Sequence, residues 1–338
     1  MKRKIAVVGA RGYSGLECCR LLLNHPDFEL AVVTSSETSW RLSDEFPGAK
    51  LDKVAHLNTD EFLAQPKGVD AVMLATTAAQ SFEAAQSLKD QFVVDLSGAF
   101  RLGVQETKAF YSLSLASEKD SAESRYGLCP WQRAESKGLV SNPGCYPTSV
   151  LMALLPLLKD GLVHGENIVI DAKSGVTGAG RSPKEIAQFA ELSESLIPYK
   201  IGEHQHQPEI KRFIKHFAGM DPSFTFTTTL VPISRGILSS IYVQAAAGAN
   251  MEKIAESYRN HYGEYSLFDF YAYESGSELT QLSLKKVAGT NRTRVVVRQS
   301  ENGFVIFSMI DNLLKGAASQ AIENLNRHFK FPIGLGLD

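Results

Sequence analysis

One of the four cysteines, Cys145, stands in the run Ser141-Asn142-Pro143-Gly144-Cys145-Tyr146-Pro147-Thr148, directly ahead of an apolar stretch at 150–158 that predicts a helix. Pro147 suits the first turn of that helix, where a missing N–H leaves no hydrogen bond unmade. The Asn-Pro-Gly turn therefore brings Cys145 to a helix N-terminus. Unpaired N–H groups and the positive end of the helix dipole favour a thiolate there. A thiol with a pKa near 8.5 is only about 3% ionised at neutral pH, and a value two units lower makes it roughly three-quarters ionised. The N–H groups of residues 144–146 also suit a developing oxyanion. A buried structural cysteine beside a turn looks the same in isolation; the other motifs of the chain favour the chemical reading.

A nucleophilic thiol needs a partner that exchanges protons near neutral pH, and imidazole does this. Gly202-Glu203-His204-Gln205-His206-Gln207-Pro208-Glu209-Ile210 supplies two, just before a helix with apolar residues at 210, 213, 214 and 217. Histidines two residues apart share a face only on extended backbone. Spacing leaves open which of His204 and His206 is the acid/base. No further Cys or His cluster with metal-ligand spacing accompanies them, and no metal is expected.

Gly9-Ala10-Arg11-Gly12-Tyr13-Ser14-Gly15 follows a strand-like run at 5–8 and opens a helix over 14–24. Glycines in that place let the chain turn sharply and let backbone approach a pyrophosphate at the helix N-terminus. The second strand ends Thr34-Ser35-Ser36, with no acid at its very end to bind a ribose 2′-hydroxyl. Those hydroxyls, with Arg11, favour NADP(H) over NAD, although Glu37 close by opposes the inference. Asn312 opens the last helix, expected over 312–326; it either caps that helix or presents its amide to a nicotinamide.

Anions have several candidate partners. Lys173-Ser174-Gly175-Val176-Thr177-Gly178-Ala179-Gly180-Arg181 resembles a phosphate-cradling loop but lacks the G-K-[ST] ending of a P-loop. Asp95-Leu96-Ser97-Gly98-Ala99-Phe100-Arg101 follows the last strand of the nucleotide half, and loops at such strand ends face a binding crevice. Pro232-Ile233-Ser234-Arg235-Gly236 offers another guanidinium. The expected substrate-side set is Arg101, Asn142, Lys173, Ser174, Gly175, Arg181 and Arg235.

These residues need a scaffold, and 338 residues with 44% hydrophobic and 21% charged side chains suit two domains with cores of their own. Short apolar runs at 5–8, 30–33, 71–74 and 92–96 read as buried parallel strands alternating with helices. Residues 98–139 lose that pattern and read as a connection between domains. Later strands are expected at 168–172, 224–231, 239–246, 293–297 and 304–310. A net charge of -2 argues against a nucleic-acid partner or an anionic membrane surface. The start of the chain lacks the pattern of a secretory signal, no apolar run reaches membrane-spanning length, and the cysteines Cys18, Cys19, Cys129 and Cys145 form no C-x-x-C pair. A reducing, cytoplasmic setting follows.

The stretches G-A-R-G-Y-S-G, D-L-S-G-A-F-R-L, S-N-P-G-C-Y-P-T, S-G-V-T-G-A-G-R, H-Q-H-Q-P-E-I, V-P-I-S-R-G-I-L and I-D-N-L-L-K-G-A run in that order from Gly9 to Ala317. Together they closely resemble the N-acetyl-γ-glutamyl-phosphate reductase family (type 1), of the aspartate-semialdehyde dehydrogenase-like superfamily. The resemblance implies an α/β chain: a Rossmann dinucleotide-binding domain over 1–145, completed by 312–338 as the terminal helix returns to it, and a mixed α/β catalytic and dimerisation domain over 146–311. It implies NADPH-dependent reduction of an acyl phosphate in arginine biosynthesis through a thioester on Cys145, with a histidine of the H-x-H pair as acid/base. It also implies a homodimer or homotetramer. The chain has His204-Gln205-His206 where the family usually has H-R-H, and Gly98-Ala99 where it usually has A-D, which touches minor contacts only. Aspartate-semialdehyde dehydrogenase shares this chemistry but fits the motifs poorly; a reductase acting on a carrier-tethered substrate differs in features that motifs do not report.

Overall fold

Apolar runs become strands wherever both faces of a sheet are covered. The computed structural model describes residues 1–37, 39–114, 125–132, 138–274 and 279–338. These divide into two units, Met1–Gly144 with Ala317–Asp338, and Cys145–Gly316. Among the described residues no helix is long and apolar enough to cross a membrane.

In the first unit, β1 (Arg3–Val8), β2 (Phe28–Ser35), β3 (Ala55–Asn58), β4 (Ala71–Leu74), β5 (Phe92–Asp95) and β6 (Leu139–Ser141) form one parallel sheet in the order β3-β2-β1-β4-β5-β6. β4 and β5 are buried at every residue and β1 at its last four, as continuous apolar strands between helical layers must be. The helices are α1 (Tyr13–Asn24), α2 (Leu42–Glu45), α3 (Thr59–Ala64), α4 (Ala78–Ser87) and α5 (Val104–Tyr111). Strand order reverses between β1 and β4, which opens a ligand crevice at their carboxyl ends. β3 escapes sequence reading because its residues are mostly exposed and carry no apolar run.

Residues 98–139 do not connect domains. They are the crossover between two neighbouring strands of this one sheet, since β6 pairs in parallel with β5. Ala99, Phe100, Leu102, Tyr126, Leu128 and Cys129 are buried within the unit, and α5 lies in the same stretch. Scattered Ser, Glu and Lys hide these few buried side chains from a periodicity argument; residues 115–124 and 133–137 lie outside the described set.

His25 fastens the end of the chain to this unit. Its Nδ1 accepts from the N–H groups of Asp27 (3.2 Å) and Phe28 (3.0 Å), its Nε2 bonds the Leu335 carbonyl (2.9 Å), and its ring stacks on Phe28. Accepting at one nitrogen while donating from the other requires a neutral ring. Burial pushes its pKa below the usual 6.5. A depressed folded-state value means this contribution is complete above about 6.5 and disappears as pH falls below it. We expect His25→Ala to lower Tm by about 2–4 °C at pH 7.5, and the gap from the unmodified protein to shrink at pH 5.5. A constant gap across that range, in thermal melts of both proteins, contradicts the assignment.

In the second unit, β7 (Ile168–Ser174), β8 (Ile197–Pro198), β9 (Phe224–Leu230), β10 (Ile237–Gln244), β11 (Phe268–Ala272), β12 (Thr293–Ser300) and β13 (Gly303–Ile310) form a mixed sheet in the order β11-β12-β13-β10-β7-β9-β8. Its helices are α6 (Cys145–Lys159), α7 (Phe189–Leu192), α8 (His206–Ala218) and α9 (Met251–Tyr262). α6 is the centre of the core: residues 146–158 are all buried. Pro156 lies inside it and cannot bond the Met152 carbonyl four residues back. The Tyr262 hydroxyl donates to that carbonyl at 2.8 Å and the Tyr258 hydroxyl to Ala153 at 2.7 Å, so α9 replaces what the proline removes. Ser149, four residues beyond Cys145, joins a buried hydroxyl cluster with Ser239 (2.9 Å) and Ser308 (3.1 Å), pinning α6 to β10 and β13. The opposite sheet face is more open: Val169 and its cross-strand neighbour Tyr242 are 40% and 45% exposed.

The last helix differs from expectation. α10 (Ser319–His328) starts well after Asn312, and Leu314–Ala318 is π-helical. The Asp311 carboxylate takes the N–H groups of Leu313 and Leu314, while the Gly316 N–H reaches the Asp311 carbonyl at 2.9 Å, widening the turn. α10 itself belongs to the first unit and packs on α1 and β5.

Candidate active site

In the first unit the glycine turn closes on itself. The N–H groups of Gly9 and Ala10 both donate to the Thr34 carbonyl, and Gly9 takes φ +81°, a conformation that favours glycine. A β-carbon on Gly15 would fall 2.3 Å from the Gly9 carbonyl oxygen, so that glycine permits close helix–strand packing. Gly12 is different. It is the N-cap of α1, and a β-carbon there would find nothing nearer than 3.5 Å. That helix N-terminus, where Tyr13 and Ser14 begin the first turn, fits a pyrophosphate.

Around the end of β2, Thr34 is buried and shares a 3.0 Å hydrogen bond with Thr59, Ser35 accepts from the Glu37 N–H, and Ser36 is exposed. Arg11 forms a 2.8 Å ion pair with Glu37. The guanidinium expected to meet a 2′-phosphate thus already has a carboxylate beside it. The sequence reading missed the loop after β4, where Ala75 and Thr76 lie against Gly9 across the strand-order reversal. Arg101 is buried and donates to the carbonyls of Asn142 (2.8 Å) and Leu96 (2.7 Å). The buried Asn142 side chain donates to the Ala317 carbonyl and accepts from Asn324. Both support the ends of β5 and β6 in this unit.

In the second unit Cys145 is the first residue of α6 and is half-buried. Tyr146 follows it, with its ring edge-on to His204 (5.4 Å), His206 (5.8 Å) and Phe226 (5.7 Å), and its hydroxyl 3.0 Å from that of Tyr199. Burial, the Tyr199 hydroxyl and the charge of Cys145 all push the Tyr146 pKa upward. Burial foremost, with the Cys145 charge contributing, pushes Tyr199 up to about 12. The thiol, both phenols and the histidine pair therefore form one constellation.

The two histidines come together without extended backbone. Gln205 is in the right-handed helical region, and the ring centroids of His204 and His206 lie 4.8 Å apart. His204 folds back so that its Nδ1 accepts the His206 N–H at 3.1 Å, capping the first turn of α8. Burial, with the Lys200 charge behind it, lowers the His204 pKa to about 4, so it is neutral near pH 7. Glu209, which the sequence reading passed over, is fully buried one turn after His206 on the same helix face. Its H-x-x-E spacing was the available signal. Tyr199 had none, because only tertiary packing brings it to Tyr146.

The other expected anion partners diverge. Gly175 packs against the Ser234–Arg235 backbone, where a β-carbon would lie 2.8 Å from Arg235 N, and Ser174 is buried and donates to the Gly175 carbonyl. Arg235 faces the buried Asp311 carboxylate at 3.7 Å. Asn312 accepts from the Gly236 N–H at 2.8 Å and donates to Thr177 at 3.1 Å, tying three loops together. Lys173 pairs with Asp171 on the same strand, and Arg181 is exposed.

A nucleotide-type crevice in one unit and a helix-start thiol with paired imidazoles in the other fit an oxidoreductase of the semialdehyde dehydrogenase class. Family models for the NAD binding domain and the dimerisation domain of semialdehyde dehydrogenase match residues 4–139 and 145–312. The chain belongs to the N-acetyl-γ-glutamyl-phosphate reductase family within that class. It is 33% identical over 344 residues to a protein of that name from Vesicomyosocius okutanii, with 99% of this chain and 98% of the relative covered. Its identity to the Staphylococcus aureus protein of the same name is 35% over 345 residues, again covering 99% and 98%. In fold it matches aspartate semialdehyde dehydrogenase II from Vibrio cholerae (TM-score 0.71, 16% identity, 98% and 99% coverage). The Candida albicans aspartate semialdehyde dehydrogenase solved with NADP is similar (TM-score 0.67, 15% identity, 98% and 99% coverage).

Proposed function

We propose that this chain reduces N-acetyl-γ-glutamyl phosphate with NADPH, giving N-acetylglutamate 5-semialdehyde and phosphate, as a step of arginine biosynthesis in the cytoplasm. The observation that carries the reading is the helix-start Cys145 beside Tyr146, whose ring meets both His204 and His206. Relatives of that name over nearly the whole chain support the choice of substrate.

The Cys145 thiolate attacks the acyl carbon; a C–S bond forms, the C–O bond to phosphate breaks, and phosphate leaves with the electron pair. N–H groups at the start of α6 receive the negative charge that builds on the carbonyl oxygen. Bound NADPH supplies the hydride that takes the thioester carbon to the aldehyde level. His206 protonates the oxygen of the resulting thiohemiacetal and then takes that proton back as the C–S bond breaks and the thiolate returns. His206 suits this work better than His204, whose Nδ1 is committed to the His206 N–H and whose burial disfavours a charge.

Gly9, Gly12, Tyr13, Ser14 and Gly15 hold the pyrophosphate of the dinucleotide in this reading. Thr34, Ser35, Ser36 and Arg11 take the adenosine end. Asn312 serves the nicotinamide end through the turn it fastens. Arg181, Lys173 and Arg235 supply positive charge for the substrate's carboxylate and phosphate, and Ser174 and Gly175 shape their loop. Arg101 and Asn142 act through the loops they brace. The open sheet face around Val169 and Tyr242 suits a second copy of the chain, as a homodimer or one half of a tetramer.

The reverse reaction tests the proposal. We expect phosphate-dependent reduction of NADP⁺ with N-acetylglutamate 5-semialdehyde, at a kcat/KM at least about 100-fold above that with aspartate semialdehyde. Equal use of the two aldehydes, or reduction that does not need phosphate, overturns it.

A further inference from the structure

We infer that Gly316 is a positioning residue for the nucleophile: it lets the 311–316 turn press its backbone against the Cα and Cβ of Cys145, closing one side of the thiol. The inference rests on Cys145 being the nucleophile. A β-carbon placed on Gly316 would lie 2.8 Å from Cys145 Cβ and 3.2 Å from Cys145 Cα, and these are its two nearest atoms. Separations under 3 Å are not tolerated, so any side chain at 316 must push either the turn or the first residue of α6. Glycine is needed here for close approach of backbone, not for an unusual φ.

The turn cannot retreat easily. The fully buried Asp311 carboxylate accepts from the N–H groups of Leu313 (2.8 Å), Leu314 (3.0 Å) and Gly289 (2.7 Å), and its backbone carbonyl accepts from Gly316. Asn312 bonds Gly236 and Thr177. The buried Lys315 donates to the Tyr265 hydroxyl. On the other side, the Ser149–Ser239–Ser308 cluster fixes α6 one turn beyond Cys145. Two anchored elements meet at Cys145 with only a hydrogen between them.

Gly316→Ala is the test. We expect kcat to fall about 100-fold with KM for the acyl phosphate changed less than about threefold, because a displaced reacting atom costs turnover more than binding. In the resting protein, alkylation of Cys145 by iodoacetamide should slow at least about tenfold as the sulfur leaves its place among the N–H groups of α6. A stability cycle reads the contact itself: the Tm loss from Gly316→Ala should fall by at least about half when residue 145 is made glycine, which removes the 2.8 Å contact and leaves the 3.2 Å one to Cα. If Gly316→Ala yields no folded protein, adding Cys145→Gly should restore it. Unchanged or faster alkylation, or an equal Tm loss with cysteine and glycine at 145, or no rescue by the double variant, overturns the inference. Retained turnover in Cys145→Ser instead removes the nucleophile reading, which the Tm cycle does not depend on.

Discussion

Cys145→Ser should fold, bind NADP⁺ as the unmodified protein does, and turn over at least about 10⁴-fold more slowly. Serine keeps the size of the side chain and its place at the start of α6, and the hydroxyl makes no demand that the half-buried position cannot meet. What it loses is the anion. A helix N-terminus stabilises a thiolate by enough to populate it near neutral pH, whereas an alkoxide stays out of reach without a strong adjacent base. The neighbouring phenols cannot take that role, since burial alone holds Tyr146 and Tyr199 protonated. Steady-state rates in both directions, with Tm and NADP⁺ titration as controls, check the expectation. Turnover within tenfold of the unmodified protein removes Cys145 from the reaction.

The histidine pair gives the second large effect, and it is asymmetric. His206→Gln should lower kcat about 10²–10⁴-fold, the usual contribution of general acid–base catalysis. His204→Asn should cost less than about tenfold, because an amide oxygen can still accept the His206 N–H and keep the cap on α8. The contrast follows from one hydrogen bond of 3.1 Å and from the low pKa that burial imposes on His204. Thermal melts of the two variants separate packing from chemistry. If His204→Asn proves the slower enzyme while melting normally, the roles are reversed.

Several features were legible because they depend on neighbours along the chain. The helix-start cysteine, the glycine turn after β1 and the alternation of buried strands with helices are all written within windows of about ten residues. The stretch at 98–139 escapes such a window for the same reason: a buried side chain such as Phe100 packs on Phe82 and Ala85, well back along the chain. The expected helix at 312–326 failed more instructively. Its pattern is helical and Asp311 caps its start, but the Gly316 N–H bonds the Asp311 carbonyl five residues back, so Leu314–Ala318 is π-helical and α10 begins only at Ser319.

By itself the amino-acid sequence determined the chemistry available to this protein: a thiol at a helix start, two imidazoles, a dinucleotide turn and a set of cations. Only the tertiary structure decided how those groups are used. Arg101 and Asn142 brace loops, Lys173 pairs with Asp171, His204 becomes a cap, and Tyr199, Glu209 and Gly316 join the surroundings of Cys145 or the helix beside it. The reason is physical. A residue's type and local spacing set its charge, its hydrogen-bonding groups and its backbone freedom, whereas its partner is whichever distant group the packing of the sheets brings within a few ångströms.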